Sequence, residues 1–175
     1  GKSVRQPMNI KMDPRIAVSA AVLKTQIEGS MMCYQGLDQI QHIINDLHAL
    51  RSQIRNRSAA ARDTVLRDSL SSIEKKLTAL EGNGPPQDVD IVYFTVQDGK
   101  TVKETFNGLQ TKLLYIMMIL QGSDAEPTEA QRTAVRDEGV MLNAMVQRWA
   151  TFRGTGLQDI NTMLKNHHLN GVKPE

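Results

Sequence analysis

The chain has 175 residues, enough for one domain whose core needs no metal or disulfide support. Its 21 basic and 19 acidic side chains leave a formal net charge of +2 and are spread along the chain, so nothing concentrates the field that would hold phosphates, and no nucleic-acid partner is expected. Cys33 is the single cysteine, which excludes an internal disulfide and a cysteine-based metal cluster.

The sequence opens on Gly1-Lys2-Ser3 without an initiating Met or a signal-peptide pattern, as expected of a processed product or a fragment of a longer protein. Residues 4–12 alternate, with Val4, Met8, Ile10 and Met12 on one side and Arg5, Pro7, Asn9 and Lys11 on the other, which predicts a strand that Pro7 places at a sheet edge. Asp13-Pro14-Arg15 predicts a turn. Ser19 can then cap a long helix whose apolar positions Leu23, Ile27, Met31, Tyr34, Leu37, Ile40, Ile44, Leu47 and Ile54 mostly recur every three or four residues. A break is expected near Asn56 to Ser58. Arg51, Arg55, Arg57, Arg62 and Arg67, interleaved with Asp63 and Asp68, read as a solvated helix face.

Leu66, Leu70, Ile73, Leu77 and Leu80 predict a second helix that Gly82 ends. Residues 82–100 form the main irregular connection, and Val89 to Val96 within it are rich enough in β-branched and aromatic residues for a short strand or an extended strap. Thr101 and Glu104 match a capping box, ahead of a third helix with Val102, Phe106, Leu109, Leu113, Ile116 and Leu120 on its apolar face. Leu114, Met117 and Met118 widen that face, which predicts the most enclosed helix; its apolar run Leu113 to Leu120 is too short to cross a bilayer. Thr128 with Gln131 repeats the capping-box spacing before a fourth helix carrying Val135, Leu142, Met145, Val146, Trp149 and Phe152. Gly154 and Gly156 are expected to interrupt it, leaving a short fifth helix with Leu157, Ile160 and Leu164 that ends near Gly171. The fold class read from this order is all-α: an up-down bundle of four to five helices with an N-terminal β-strand appendage.

Candidate chemistry is sparse. Asp38, His42 and Asp46, four residues apart, share a helical face that could meet a metal, but no Glu-x-x-His pair accompanies them, so no metal and no cofactor are expected. Cys33 has no His three or four residues away to activate it and reads as a core residue. Gly29, Cys33 and Gly36 form a stripe of small residues, spaced for close approach by another helix or for a small-ligand groove. No catalytic arrangement is visible, so an enzyme is not expected. The edge strand with Val4, Met8, Ile10 and Met12 is the candidate partner interface, open to pairing with a second copy.

The run Gln6-Pro7-Met8-Asn9-Ile10-Lys11-Met12-Asp13-Pro14-Arg15 before a long amphipathic helix resembles a junction in large bacterial secreted proteins built on sortilin-like BNR-repeat β-propellers. Asp124-Ala125-Glu126-Pro127-Thr128 opening a helix, then Trp149 and the Leu157, Asn161, Leu164 pattern, is similar to the C-terminal helical region of that family. The resemblance implies that residues 1–18 are the terminal strand and turn of a truncated β-sandwich and residues 19–175 a helical domain. It also implies an extracytoplasmic parent, periplasmic or secreted, whose other domains are this region's partners. The family is often labelled glycosyl hydrolase-like, a label tied to its propeller, and no catalytic residue carries over to this region. The function expected is a non-catalytic structural or interaction module; the alternative is a ligand-binding bundle with its groove near Gly29 and Gly36.

Overall fold

The computed structural model of the chain describes residues 3–9, 11, 13–15, 18–82 and 104–174. Among them are five α-helices: α1 (Ala20–Ala60), α2 (Thr64–Glu81), α3 (Phe106–Gln121), α4 (Glu129–Thr151) and α5 (Leu157–Asn166). A π-helical segment, Phe152–Gly156, joins α4 to α5.

The spine is α1, whose 41 residues give a rod about 60 Å long. Three columns of side chains run along it, each stepping by seven: Gln26, Cys33, Ile40, Leu47 and Ile54; Ser30, Leu37, Ile44 and Arg51; and Gly29, Gly36, Ile43 and Leu50. A seven-residue repeat keeps one stripe facing its neighbours over many turns, so it favours long helices lying side by side. The neighbours' directions follow from what each position meets. Gly29 faces Leu120 and Val135, and Gly36 faces Leu113 and Leu142, so α3 runs antiparallel to α1 and α4 runs parallel to it. Arg51 pairs with Glu74 and Glu81, and Arg67 donates to the Ala61 carbonyl, so α2 is antiparallel as well.

Helices α2 and α3 therefore stand end to end along α1. Asn107 Nδ2 donates to the Gly82 carbonyl at 3.1 Å, which ties the end of one to the start of the other. Gly82 has φ +82°, and a Cβ there would strike the Thr105 side chain, so only glycine fits this junction. Helix α4, the π segment and α5 form the third rod, parallel to α1. The helical bundle is thus three long rods, up, down and up, with the middle one divided. After α5 the chain turns back and is held by side-chain amides: Asn161 both donates to and accepts from the backbone of Val172, and Gln53 does the same for Lys173.

Several expectations are confirmed locally. Ser19 caps α1, Gly82 ends α2, and Thr128 with Gln131 forms a complete capping box at α4. Others are corrected. The first helix does not break near Asn56 to Ser58 but runs to Ala60, and Asp63, whose carboxylate accepts from Val65 N, starts α2. Thr105, not Thr101, caps α3, and Glu104 instead pairs with Lys112; Thr101 and Val102 lie outside the described residues. Gly154 and Gly156 do fall where α4 gives way to α5, but within a π-helical segment and not a break. The Phe152 ring lies where a Cβ on Gly156 would be, 2.8 Å from its Cδ2, and the backbone passes through as a π turn with Leu157 N bonded to the Phe152 carbonyl.

The phase of α1 is also corrected. Ile27, Met31 and Tyr34, expected in the core, are exposed, whereas Gln26, Ser30 and Gly36 are buried. Close packing against α3 and α4 leaves room only for small side chains there, and Gln26 is admitted because its amide donates to the Leu120 and Ser123 carbonyls at the end of α3. None of the described residues before α1 is in a strand, and Val4 and Met8 are exposed. A lone strand satisfies neither its backbone nor its apolar face. Val89 to Val96 lie outside the described residues.

A Cβ at Gly36 would sit 2.8 Å from Leu113 Cδ1 and 2.9 Å from Leu142 Cδ2, whereas one at Gly154 would meet nothing within 4 Å. Gly36→Leu is expected to destabilise the chain by about 1–3 kcal/mol through overpacking, and Gly154→Ala to stabilise it by up to about 1 kcal/mol through backbone entropy. Thermal unfolding of the two variants checks this; equal melting temperatures would contradict the close approach at Gly36.

Candidate functional site

The residues singled out by spacing do not come together. His42 lies 3.8 Å from Asp38 on an exposed face, while Asp46 turns to Arg153 of the π segment at 3.6 Å. Among the described residues no group of three or more His, Cys, Asp or Glu side chains could hold a metal ion. Cys33 is fully buried, and burial pushes its thiol up to about 11, far from a reactive thiolate at neutral pH. The space beside Gly29 and Gly36 is filled by Leu113, Leu120, Val135 and Leu142. Of the proposed partner interface, Val4 and Met8 are exposed, and Ile10 and Met12 lie outside the described residues.

Two polar networks replace these candidates. Arg51, read as part of a solvated face, is only 16% exposed and pairs with Glu74 at 3.2 Å and with Glu81, which also meets His48 at 2.8 Å. This clamp fastens α2 to α1. The signal for it was present: Arg51 continues the column Ser30, Leu37, Ile44, so it had to point inward. The second network joins α3 to α4. Lys112 meets Glu104 at 2.6 Å and Glu138 at 3.5 Å, so one ammonium serves two carboxylates. Burial works against the Lys112 charge, but the two acids outweigh it and raise its pKa above the ordinary value. For Glu138 burial dominates, with Lys112 opposing and Glu104 assisting, and its pKa is raised; its Oε2 is buried without a hydrogen-bond partner.

Two surface features remain. Gln110 donates to Gln41 at 3.2 Å, so the flank of α3 carrying Gln110, Leu114 and Met118 lies beside the flank of α1 carrying Gln41, Tyr34 and Ile27. These apolar side chains stay open, from 60% at Ile27 to 44% at Leu114. On another side, a cleft of about 590 Å³ separates α2 from the π segment and α5. Ile73, Leu77, Leu80, Phe152, Ile160 and Met163 form its walls, and Lys76, Arg148 and Asp159 also line it. Phe152 is fixed there by stacking on Trp149, ring centres 5.6 Å apart.

Fold and surface together define a long helical bundle with an apolar flank and an apolar cleft. Comparison with family models, curated proteins and solved structures finds no match to the chain. No helix of the described residues is long and apolar enough to cross a membrane.

Removing one partner of a largely buried ion pair strands the other, so Arg51→Met should destabilise the chain by about 2–4 kcal/mol in urea unfolding; a change within error would return Arg51 to the solvated face. Glu138 should also leave a signature in pH. Its folded pKa lies above the ordinary 4.5, so the folded state takes up that proton first as pH falls. Its contribution to stability therefore rises as pH drops from the folded pKa towards 4.5 and is unfavourable above that window. The difference in unfolding free energy between wild type and Glu138→Gln should shift in the wild type's favour through that window; a difference independent of pH would refute the assignment.

Proposed function

We propose that this chain is a non-catalytic structural and interaction module of a larger extracytoplasmic multidomain protein. The observation that supports it most directly is the exposed flank formed by Ile27, Tyr34, Leu114 and Met118 on a bundle whose core is filled. Contiguous apolar surface on two neighbouring helices is retained where another surface covers it. The resemblance to the helical C-terminal region of secreted BNR-repeat propeller proteins names that cover as the parent's other domains. The alternative groove near Gly29 and Gly36 has less support, because leucine and valine side chains occupy the space.

The test is a charge pair placed on the flank. Ile27→Glu with Met118→Glu should leave the melting temperature of the 175-residue chain within about 1–2 °C, since exposed substitutions rarely exceed 0.5 kcal/mol. In the parent-length protein the same pair should destabilise the helical region and expose its flank to hydrogen exchange. If the parent-length protein is indifferent to both changes, the flank is not an interdomain surface and this reading fails.

A further inference from the structure

We propose that the cleft between α2 and the π segment with α5 binds one acyl chain bearing a terminal carboxylate, a long-chain fatty acid. Its volume, about 590 Å³, lies within the range of small-molecule sites. Its walls are aliphatic and aromatic, and no polar atom of Ile73, Leu77, Leu80, Phe152, Ile160 or Met163 beyond the helical backbone asks for a hydrogen-bonding partner. That lining suits a plain hydrocarbon better than a sugar or a nucleotide, which would leave polar groups unpaired.

The charges choose the other end of the molecule. Arg148 and Lys76 line the cleft and form no ion pair among the described residues, and Asp159 is the one acid beside them, so the cleft carries a net positive charge. Lys76 comes from α2 and Asp159 from α5, on the two sides of the cleft. Arg148 lines the cleft from the last turn of α4, a full turn before Phe152. A guanidinium with free donors beside an apolar slot matches a carboxylate at the end of a chain. The π turn makes the slot: the ring of Phe152 folds over Gly156 and closes one wall, and Trp149 supports it from behind.

Calorimetric titration of the chain with saturated fatty acids of eight to sixteen carbons, below their micellar concentrations, tests this. Saturable binding of one molecule is expected, strengthening by up to about fourfold for each methylene until the cleft is filled. Trp149 is the only tryptophan and abuts the Phe152 wall, so its fluorescence should change with the same midpoint. Arg148→Gln should weaken carboxylate binding about tenfold while leaving the matching alcohol unchanged, and Ala79→Phe, at a residue of α2 that also lines the cleft, should weaken both by narrowing it, with helical circular dichroism retained in each. Absence of saturable binding overturns the proposal. So does equal loss of acid and alcohol in Arg148→Gln, or full binding in Ala79→Phe. The interdomain reading of the α1 and α3 flank stands or falls separately.

Discussion

Leucines 113 and 142 approach α1 at Gly36, one of the two places where it has no side chain. A Cβ on Gly36 would lie within 3 Å of each, so the absence of that carbon sets how near α3 and α4 come to the spine and to one another. The same column on α1 then changes character, from Gly29 and Gly36 to Ile43 and Leu50. Where it is small, three helices close tightly. Where it is bulky, α2 packs on α1, and the cleft lies between α2 and the π segment with α5.

The ends of the elements are held by a common device. A helix leaves its last carbonyls unpaired, and in this chain side-chain amides take up several of them. Gln26 closes the end of α3, Asn107 the end of α2, and Asn161 and Gln53 the returning tail, where Val172 is buried. Each is an amide that can donate and accept at once, which suits backbone groups that turn away from regular bonding. The ion-pair clamp at Arg51 acts differently, fixing α2 sideways against α1.

Much of the helical order was legible because it rests on local chemistry. The capping box at Thr128 and Gln131 and the glycine stop at Gly82 need only neighbours in sequence to form. The phase of α1 was harder, since the pattern weighs large apolar residues and its buried N-terminal half is made of Gln26, Ser30, Cys33 and Gly36. Ile27, Met31 and Tyr34 drew the eye to the outer face. The π turn was hidden for a related reason: two glycines usually end a helix, and only the packed ring of Phe152 shows why the helix continues past Gly156. The cleft could not be read at all. Ile73, Leu77, Leu80 and Ile160 look like ordinary core positions, and the spacing between their helices is not a local property of either sequence.

Gly82 and Thr105 touch, although many residues separate them in sequence. A chain that leaves and re-enters a fold at one point imposes no span on what lies between, and the entropy of closing such a loop grows only with the logarithm of its length, about 0.6 kcal/mol for each doubling. The waist of the bundle is therefore a place where evolution can lengthen, shorten or replace sequence without rewriting the rods on either side. Divergence among descendants of this architecture should gather there first, while the seven-residue columns of α1 change slowly and in concert with the leucines that face them.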